Sequence, residues 1–296
     1  MNAEYATVGI YHHPTHPPAK EFADELRRCI QAESKGLDVW IASAFDPVAS
    51  TRDLPHTDLL ICLGGDGTVL RAARAVIPHA IPILGVDMGR VAFLTEFTPP
   101  QMLERLAQVL SGQGRLEARA MIDVRTAGFA DDDAPQHVHA LNDVIVGRRS
   151  VGRPIAVNVR VDGDLIGIIT ADAVIVATAT GSTGYSLSAG GPVLHPLSRS
   201  LVVTPVASHL STAAPIVLPD DSVIDLSAVT EGTTALSIDG QGQYEMSDAS
   251  TVNVKRSNHI ARLLRFWDDP FYEQLGRRLS WLDDSGAPHP PPRESS

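Results

Sequence analysis

The stretch LLICLGGDGTVLRAARAV, residues 59–76, constrains the fold more than any other in the chain. Leu59 to Leu63 form an unbroken apolar run that reads as a buried strand. Val69, Leu70, Ala73, Val76 and Ile77 fall on one face at helical spacing. Between them stand Gly64, Gly65, Asp66, Gly67 and Thr68. The three glycines predict backbone at positive φ and a ligand in close approach to the main chain, with Thr68 as the helix N-cap. Free N–H groups at such a helix start favour an anion. Asp66 stands where a phosphate would be expected, and the lysine of a P-loop is missing.

The surrounding sequence extends this unit. TVGIYHH reads as a strand, Ala19 to Glu33 as a helix burying Phe22, Leu26, Cys29 and Ile30, and LDVWIA, LLICL and IPILGVDMG as further strands. Short connections between alternating strands and helices predict a doubly wound parallel α/β sheet, whose ligands sit beyond the carboxyl ends of the strands. After a helix over Met102–Leu110, short β-rich runs follow one another from ARAMIDVRTA to TVNVKRS, separated by turn signals such as Asp162-Gly163 and Asp239-Gly240. The expected fold is therefore α/β followed by all-β, the latter as two packed sheets over roughly residues 115–260. ARLLRFWDDPFYEQLGRRLSWL reads as a strand and then a helix in need of a packing surface, and the Pro-rich tail 285–296 as disordered.

Several classes of function are disfavoured. A net charge of -11 repels nucleic acid and anionic lipid. No apolar run reaches the ~18 residues of a membrane span, and the N-terminus lacks the pattern of a signal peptide, so the cytoplasm is the expected location. Cys29 and Cys62 both sit in apolar patterns, as buried small hydrophobes rather than a disulfide or metal pair. His12, His13 and His16 cluster, and His137 and His139 alternate on a strand. No third ligand is placed beside either set, so no metal ligand is assigned.

Three other stretches could carry chemistry. Residues 177–196, ATATGSTGYSLSAGGPVLHP, crowd Thr180, Ser182, Thr183, Tyr185, Ser186 and Ser188 around Gly181, Gly184, Gly190 and Gly191. Hydroxyls and main-chain donors at a strand end suit a ligand rich in oxygen, such as a nucleotide, with Tyr185 to stack on a base; the plain alternative is a surface loop. Asn142 and Asp143 interrupt an apolar strand, either to bind a ribose or amide or as a strand-end pair satisfied by the backbone. Asp172, inside IGIITADAVIV, is a ligand group or a hairpin residue. Walker, G-x-G-x-x-G and nucleophile-elbow patterns are missing.

Taken together, LGGDGTVLRAAR, ALND, TGSTGYSLSAGGP and SIDGQ, with IPILGVDMGRVAFLTE and VLPDDS, resemble the NAD kinases over roughly residues 5–270. The resemblance implies phosphorylation of the adenosine-ribose 2′-hydroxyl of NAD to give NADP, with ATP or polyphosphate as donor and a divalent cation, usually Mg²⁺. It assigns Asp66 as general base, and Gly64, Gly65, Gly67 and Thr68 as the phosphate loop. Arg71 and Arg90 become candidates for the phosphate charge, and Asn142 and Asp143 for the dinucleotide. Asp172, Thr183, Gly184, Tyr185, Ser186, Leu187 and Ser188 would hold its ring ends, with Arg153, Ala207 and Gln241 completing the substrate set.

The implied architecture is an α/β domain at 1–112 completed by 262–284, and a β-sandwich dinucleotide-binding domain at 113–261. Homodimers or homotetramers with sites shared between subunits are implied as well. Gly184 stands where the family usually has Ala, Ala179 where it has Pro, Asp87 where Asn is common, Ala92 where Gly is usual, and Asp143 for the more frequent Glu. The alternatives are a lipid or sugar kinase sharing the GGDGT loop, and a dinucleotide-binding regulator without turnover.

Overall fold

The computed structural model describes residues 4–46, 52–89, 92–129, 134–149, 154–208, 213–229, 234–266 and 271–279. Strands β1 (Thr7–His12), β2 (Asp38–Ser43), β3 (Leu59–Leu63) and β4 (Pro82–Val86) run parallel in the order β2-β1-β3-β4. Helix α1 (Pro17–Glu33) joins β1 to β2, and α2 (Asp66–Ala75) joins β3 to β4. All five residues of β3 are buried, as an unbroken apolar run requires of a strand covered on both faces. Helix α2 packs Val69, Leu70 and Ala73 against Leu60, Ile83, Leu141 and Leu263. The helix expected over Met102–Leu110 is two short ones, α3 (Pro99–Glu104) and α4 (Leu106–Leu110), because Arg105 leaves helical geometry at φ -97 and ψ 3.

The remaining strands fall into two sheets. β5 (Arg115–Ala127), β6 (His137–Ala140), β8 (Ile155–Val161), β9 (Asp164–Ala171), β13 (Val223–Ala228) and β16 (Thr251–Arg265) join the parallel strands in one ten-stranded sheet. The join is made by β16, which pairs in parallel with β4 at Arg262↔Pro82 and Leu263↔Ile83, and antiparallel with β5 and β13. β7 (Asp143–Arg148), β10 (Ala173–Ala177), β11 (Leu201–Val206), β12 (Ile216–Leu218), β14 (Thr234–Ile238) and β15 (Gln241–Met246) form a six-stranded antiparallel sheet. Val124, Val157, Leu226 and Val252 of the first sheet pack on Val146, Val174, Val203 and Leu236 of the second. One layer of the β-sandwich is thus continuous with the α/β sheet.

Two apolar runs that read as single strands are each divided between the sheets. The chain leaves the ten-stranded sheet after β6 and enters the six-stranded one at β7, crossing at Leu141 and Asn142. It crosses again at Asp172, between β9 and β10. At the second crossing Asp172 still donates its N–H to the Val206 carbonyl and accepts the Arg148 N–H of the six-stranded sheet, whereas the N–H groups of Leu141 and Asn142 belong to neither ladder and need other partners. Both Asp-Gly pairs close two-residue hairpins with left-handed φ at each position: 54 and 91 at Asp162 and Gly163, 52 and 66 at Asp239 and Gly240. Helix α5 (Tyr185–Ser188) follows a turn of 3₁₀ helix at Gly181–Thr183. Residues 1–265 form one compact unit, and the segment from 266 onward a second that contains helix α6 (Phe271–Arg278) with Leu275 buried. The expected disordered tail, 285–296, lies outside the described residues.

Candidate functional site

The glycine loop departs from its expected geometry. Gly64, Gly65 and Gly67 are not among the left-handed residues; Gly65 is the extended N-cap at φ -95 and ψ -167, and Thr68 is the third helical residue. The chain enters α2 without a reversal, so no positive φ is needed. Gly64 donates its N–H to the Val86 carbonyl at 3.0 Å, and a Cβ there would run into the Thr68 side chain. At Gly65 and Gly67 a Cβ would meet nothing within 4 Å. Those two faces are open, and Thr68 Oγ1 is buried without a hydrogen-bond partner.

Asp66 opens α2, where the helix dipole favours a negative charge. Its Oδ1 accepts the Leu94 N–H at 2.8 Å and its Oδ2 the Phe93 N–H at 3.0 Å. The opposite side of this segment is held by Arg265, whose guanidinium donates to the carbonyls of Phe93, Leu94 and Thr95 at 3.2–3.4 Å. Arg265 also lies 3.1 Å from Glu96 and 3.5 Å from Glu117. Glu117 is paired with Arg119, and Arg119 Nη1 donates to Thr180 Oγ1 at 3.2 Å. Burial pushes the Glu117 carboxyl up, but Arg119 and Arg265 outweigh it and hold it below the usual range. Charge-assisted contacts therefore run from the second glycine-rich block to the backbone that orients Asp66.

A second carboxylate organises the crossing between the sheets. Asp239, in the β14–β15 turn, accepts the N–H groups of Leu141, Asn142 and Asp143 at 3.0, 2.7 and 3.1 Å. Burial and then the neighbouring Asp239 push the Asp143 carboxyl up to about 7. Asn142 Oδ1 and Gln241 Nε2 are buried without partners, although Gln241 Oε1 accepts from Arg74 Nη1 at 3.0 Å. A cavity of about 460 Å³ opens beside Gln241, lined also by Phe45, Asp46, Arg71, Arg74 and His139 among others, with the Arg71 guanidinium 3.6 Å over the Phe45 ring. Asp66 is not part of its wall. Burial, then the like charge of Arg74, lowers the Arg71 pKa, a setting that an anion would relieve.

The block after β10 folds back on the same crossing. Thr178 N–H donates to the Asn142 carbonyl at 2.9 Å, and a Cβ at Gly181 would strike the Asn142 backbone. Ser182, Thr183 and Ser186 spend their hydroxyls on Ala179, Thr180 and Thr204, which shapes the turn. Tyr185 is 45% exposed, Ser188 is exposed and Leu187 half-buried. A Cβ at Gly184 would lie 3.3 Å from the Gly181 carbonyl oxygen, so the missing methyl leaves a tight place slightly open.

Arg71 and Gln241 thus share the cavity wall, Asn142 and Asp143 are tied to the β14–β15 turn by Asp239, and the turn at Gly181–Gly184 packs on Asn142. Asp66 reaches that block through Arg265, Glu117 and Arg119. Asp172 and Ala207 lie apart from the Asn142 crossing. Asp172 pairs with Arg148 at 3.0 Å, and Ala207 follows the β11 residue opposite Ala173, both at the far end of β10 from Asn142. At ~3.3 Å per residue that is about 20 Å away. Arg90 and Arg153 lie outside the described residues. Sequence reasoning missed Arg265 and saw Asp239 only as a turn residue, although an Asp at a left-handed hairpin position has its carboxylate free to reach adjacent backbone.

The family described as ATP-NAD kinase N-terminal domain matches residues 8–114, and the ATP-NAD kinase C-terminal domain residues 141–266. The NAD kinase of Dehalococcoides mccartyi (strain CBDB1) is 37% identical over 284 residues, covering 95% of this chain and 98% of that protein. The NAD kinase of Aromatoleum aromaticum is 34% identical over 289 residues, 93% of each. Among solved structures, a yeast NADH kinase complexed with NADH superposes with a TM-score of 0.84 at 22% identity, over 95% of this chain and 89% of that one. An Archaeoglobus fulgidus NAD kinase in complex with ATP gives 0.73 at 27% identity, over 93% and 99%.

Proposed function

Because the chain belongs to the NAD kinase family, we propose its chemistry by joining that membership to the geometry around Asp66. The chain is a phosphotransferase that uses ATP to phosphorylate NAD. The acceptor is the adenosine-ribose 2′-hydroxyl, and the product is NADP. Neither the regulator nor the lipid or sugar kinase reading is favoured by these relatives.

A ribose hydroxyl is a weak nucleophile at neutral pH, and a carboxylate within hydrogen-bond reach both orients it and takes its proton. Asp66 fits that role. Each of its oxygens accepts one backbone N–H, which fixes the carboxylate plane while leaving acceptor capacity on both. The observation that carries the residue assignment is the pair of orphaned buried atoms, Asn142 Oδ1 and Gln241 Nε2, on the two segments that Asp239 ties together. Buried polar groups are rarely left unpaired, and a dinucleotide supplies both a donor and an acceptor.

The open faces of Gly65 and Gly67 suit phosphate oxygens approaching the backbone, and Arg71 and Arg74 supply positive charge about one and two turns further along α2. Tyr185 offers a ring face for stacking. Among the described residues Asp66 is the carboxylate at the glycine loop, a donor set that suits Mg²⁺ held chiefly by the ATP phosphates. When bound, the cation neutralises charge on the transferring phosphoryl group. Asp172 and Ala207, being remote within one chain, serve the site of a neighbouring copy in a homodimer or homotetramer.

The test is NADP formation from NAD, ATP and Mg²⁺ by the purified protein, read with an NADP-specific dehydrogenase. Asp66→Asn is expected to abolish turnover and to leave NAD affinity within a few-fold. A wild-type rate in that variant would remove Asp66 from the mechanism.

A further inference from the structure

Away from the glycine loop, Asp123, His137 and His139 meet on the ladder between β5 and β6. His137 and His139 are two apart and project from one face of β6, and the antiparallel register sets Asp123 opposite His139. One donor atom from each of the three lies within 4.8 Å of the other two. Asp123 Oδ1 is buried and makes no hydrogen bond of ordinary geometry, although His137 Nε2 is only 2.9 Å away and Arg125 Nε 3.7 Å. The His139 ring packs edge-on against His137 and His259, at 4.9 and 5.1 Å between centroids. His139 Nδ1 lies 3.0 Å from Ser257 Oγ, which also accepts the His259 N–H at 2.9 Å. That leaves Nε2 of His139 for another partner. Asp123, His137 and His139 all fall between the stretches matched by the two NAD kinase families, which end at 114 and resume at 141.

From this arrangement we infer that Asp123, His137 and His139 bind a divalent transition metal, Zn²⁺ being the cation their donor atoms fit best. Two imidazole nitrogens and one carboxylate oxygen make a three-ligand zinc set, with the fourth position left to water or to His259. Mg²⁺ prefers oxygen donors, so this site is chemically distinct from any cation that travels with ATP. In the metal-bound state His139 Nδ1–H donates to Ser257 Oγ, which fixes the tautomer that presents Nε2. His139 is also part of the wall of the cavity that holds Arg74 and Gln241, so the metal would stiffen one side of that cavity.

The experiment uses untagged, full-length protein stripped with a chelator. Zn²⁺ is titrated against a chromophoric competitor, and Co²⁺ is added separately so that its visible d–d bands report the coordination. The expected result is one saturable Zn²⁺ per chain and the intense Co²⁺ bands of a four-coordinate nitrogen and oxygen site. His137→Gln and Asp123→Asn are expected to weaken binding by more than about tenfold. The His137 side chain is 51% exposed, so His137→Gln should keep the metal-free melting temperature of the parent. His13→Gln controls for the N-terminal histidines and should bind like wild type. Absence of stoichiometric uptake, or wild-type affinity in His137→Gln, overturns the site and leaves Asp123 and His137 as an ion pair only.

Discussion

Arg265 and Asp66 hold the backbone at Phe93 and Leu94 from opposite sides, the guanidinium on the carbonyls and the carboxylate on the N–H groups. A positive charge on one side of a peptide and a negative charge on the other polarise it in the same sense, so the two contacts strengthen each other. The segment is short and buried at Leu94, and it fixes the plane of the Asp66 carboxylate.

Arg265→Ala would take the guanidinium away from buried Glu96, and would leave Glu117 with Arg119 as its remaining buried arginine. Breaking a buried pair in this way costs ~3–5 kcal/mol. The urea midpoint should fall accordingly and kcat should fall with it. Arg265→Lys restores the charge but not the fork that spans several carbonyls, so it should recover part of the stability and less of the rate. A loss in Arg265→Ala below ~1 kcal/mol would mean that the contacts are incidental.

Asp239→Ala removes the acceptor for three N–H groups at the sheet crossing. At ~1–3 kcal/mol for each buried donor left unmade, the total should exceed ~3 kcal/mol. Asp239→Asn keeps one acceptor oxygen and tolerates the left-handed φ, so it should be intermediate. Chemical denaturation of both variants orders them; equal stability would remove Asp239 from its organising role.

The raised Asp143 pKa has a definite sign in stability. The folded state keeps a proton up to about pH 7 that the unfolded chain releases near 3.8, so the contribution is complete below 3.8 and is lost as pH rises through about 7. Asp143→Asn should gain stability relative to wild type across that window and show no gain below it. Unfolding midpoints measured from about pH 4 to about pH 8 would decide this, and parallel curves would rule the shift out.

Glycines in the two loops should respond differently to one methyl group. Gly65→Ala enters open space at an extended φ, so stability should change by less than ~1 kcal/mol while KM for ATP rises. Gly181→Ala drives a Cβ into the Asn142 backbone and should lower the melting temperature and NAD binding together. A KM for ATP unaltered in Gly65→Ala would place the phosphates elsewhere.

Much of this was legible because local patterns carry it. Strand β3, the start of α2 near the glycines and the Asp-Gly hairpins follow from burial period and turn chemistry within a few residues. The division of ALND and IGIITADAVIV between sheets was not legible, because period-2 alternation looks the same whether a run stays in one sheet or crosses to another. Strand β15, QGQYEM, is largely exposed and has no apolar run to announce it. Arg265 was hidden for another reason. Its partners lie about 150 and 170 positions earlier, at Glu117 and Glu96, and no spacing rule relates residues so far apart.

Strand β16 has a kinetic consequence as well. A ribosome reaches Arg262 and Leu263 only after β1 to β15 have been made, and until then β4 is an open edge of a parallel, aliphatic sheet. The parallel strands of the ten-stranded sheet therefore lack the neighbour of β4 until β16 has been made. An unpaired edge of that kind is a binding site for chaperones and a route to aggregation during synthesis, so stalling translation shortly before β16 emerges should produce a nascent chain far more protease-sensitive than one stalled after it.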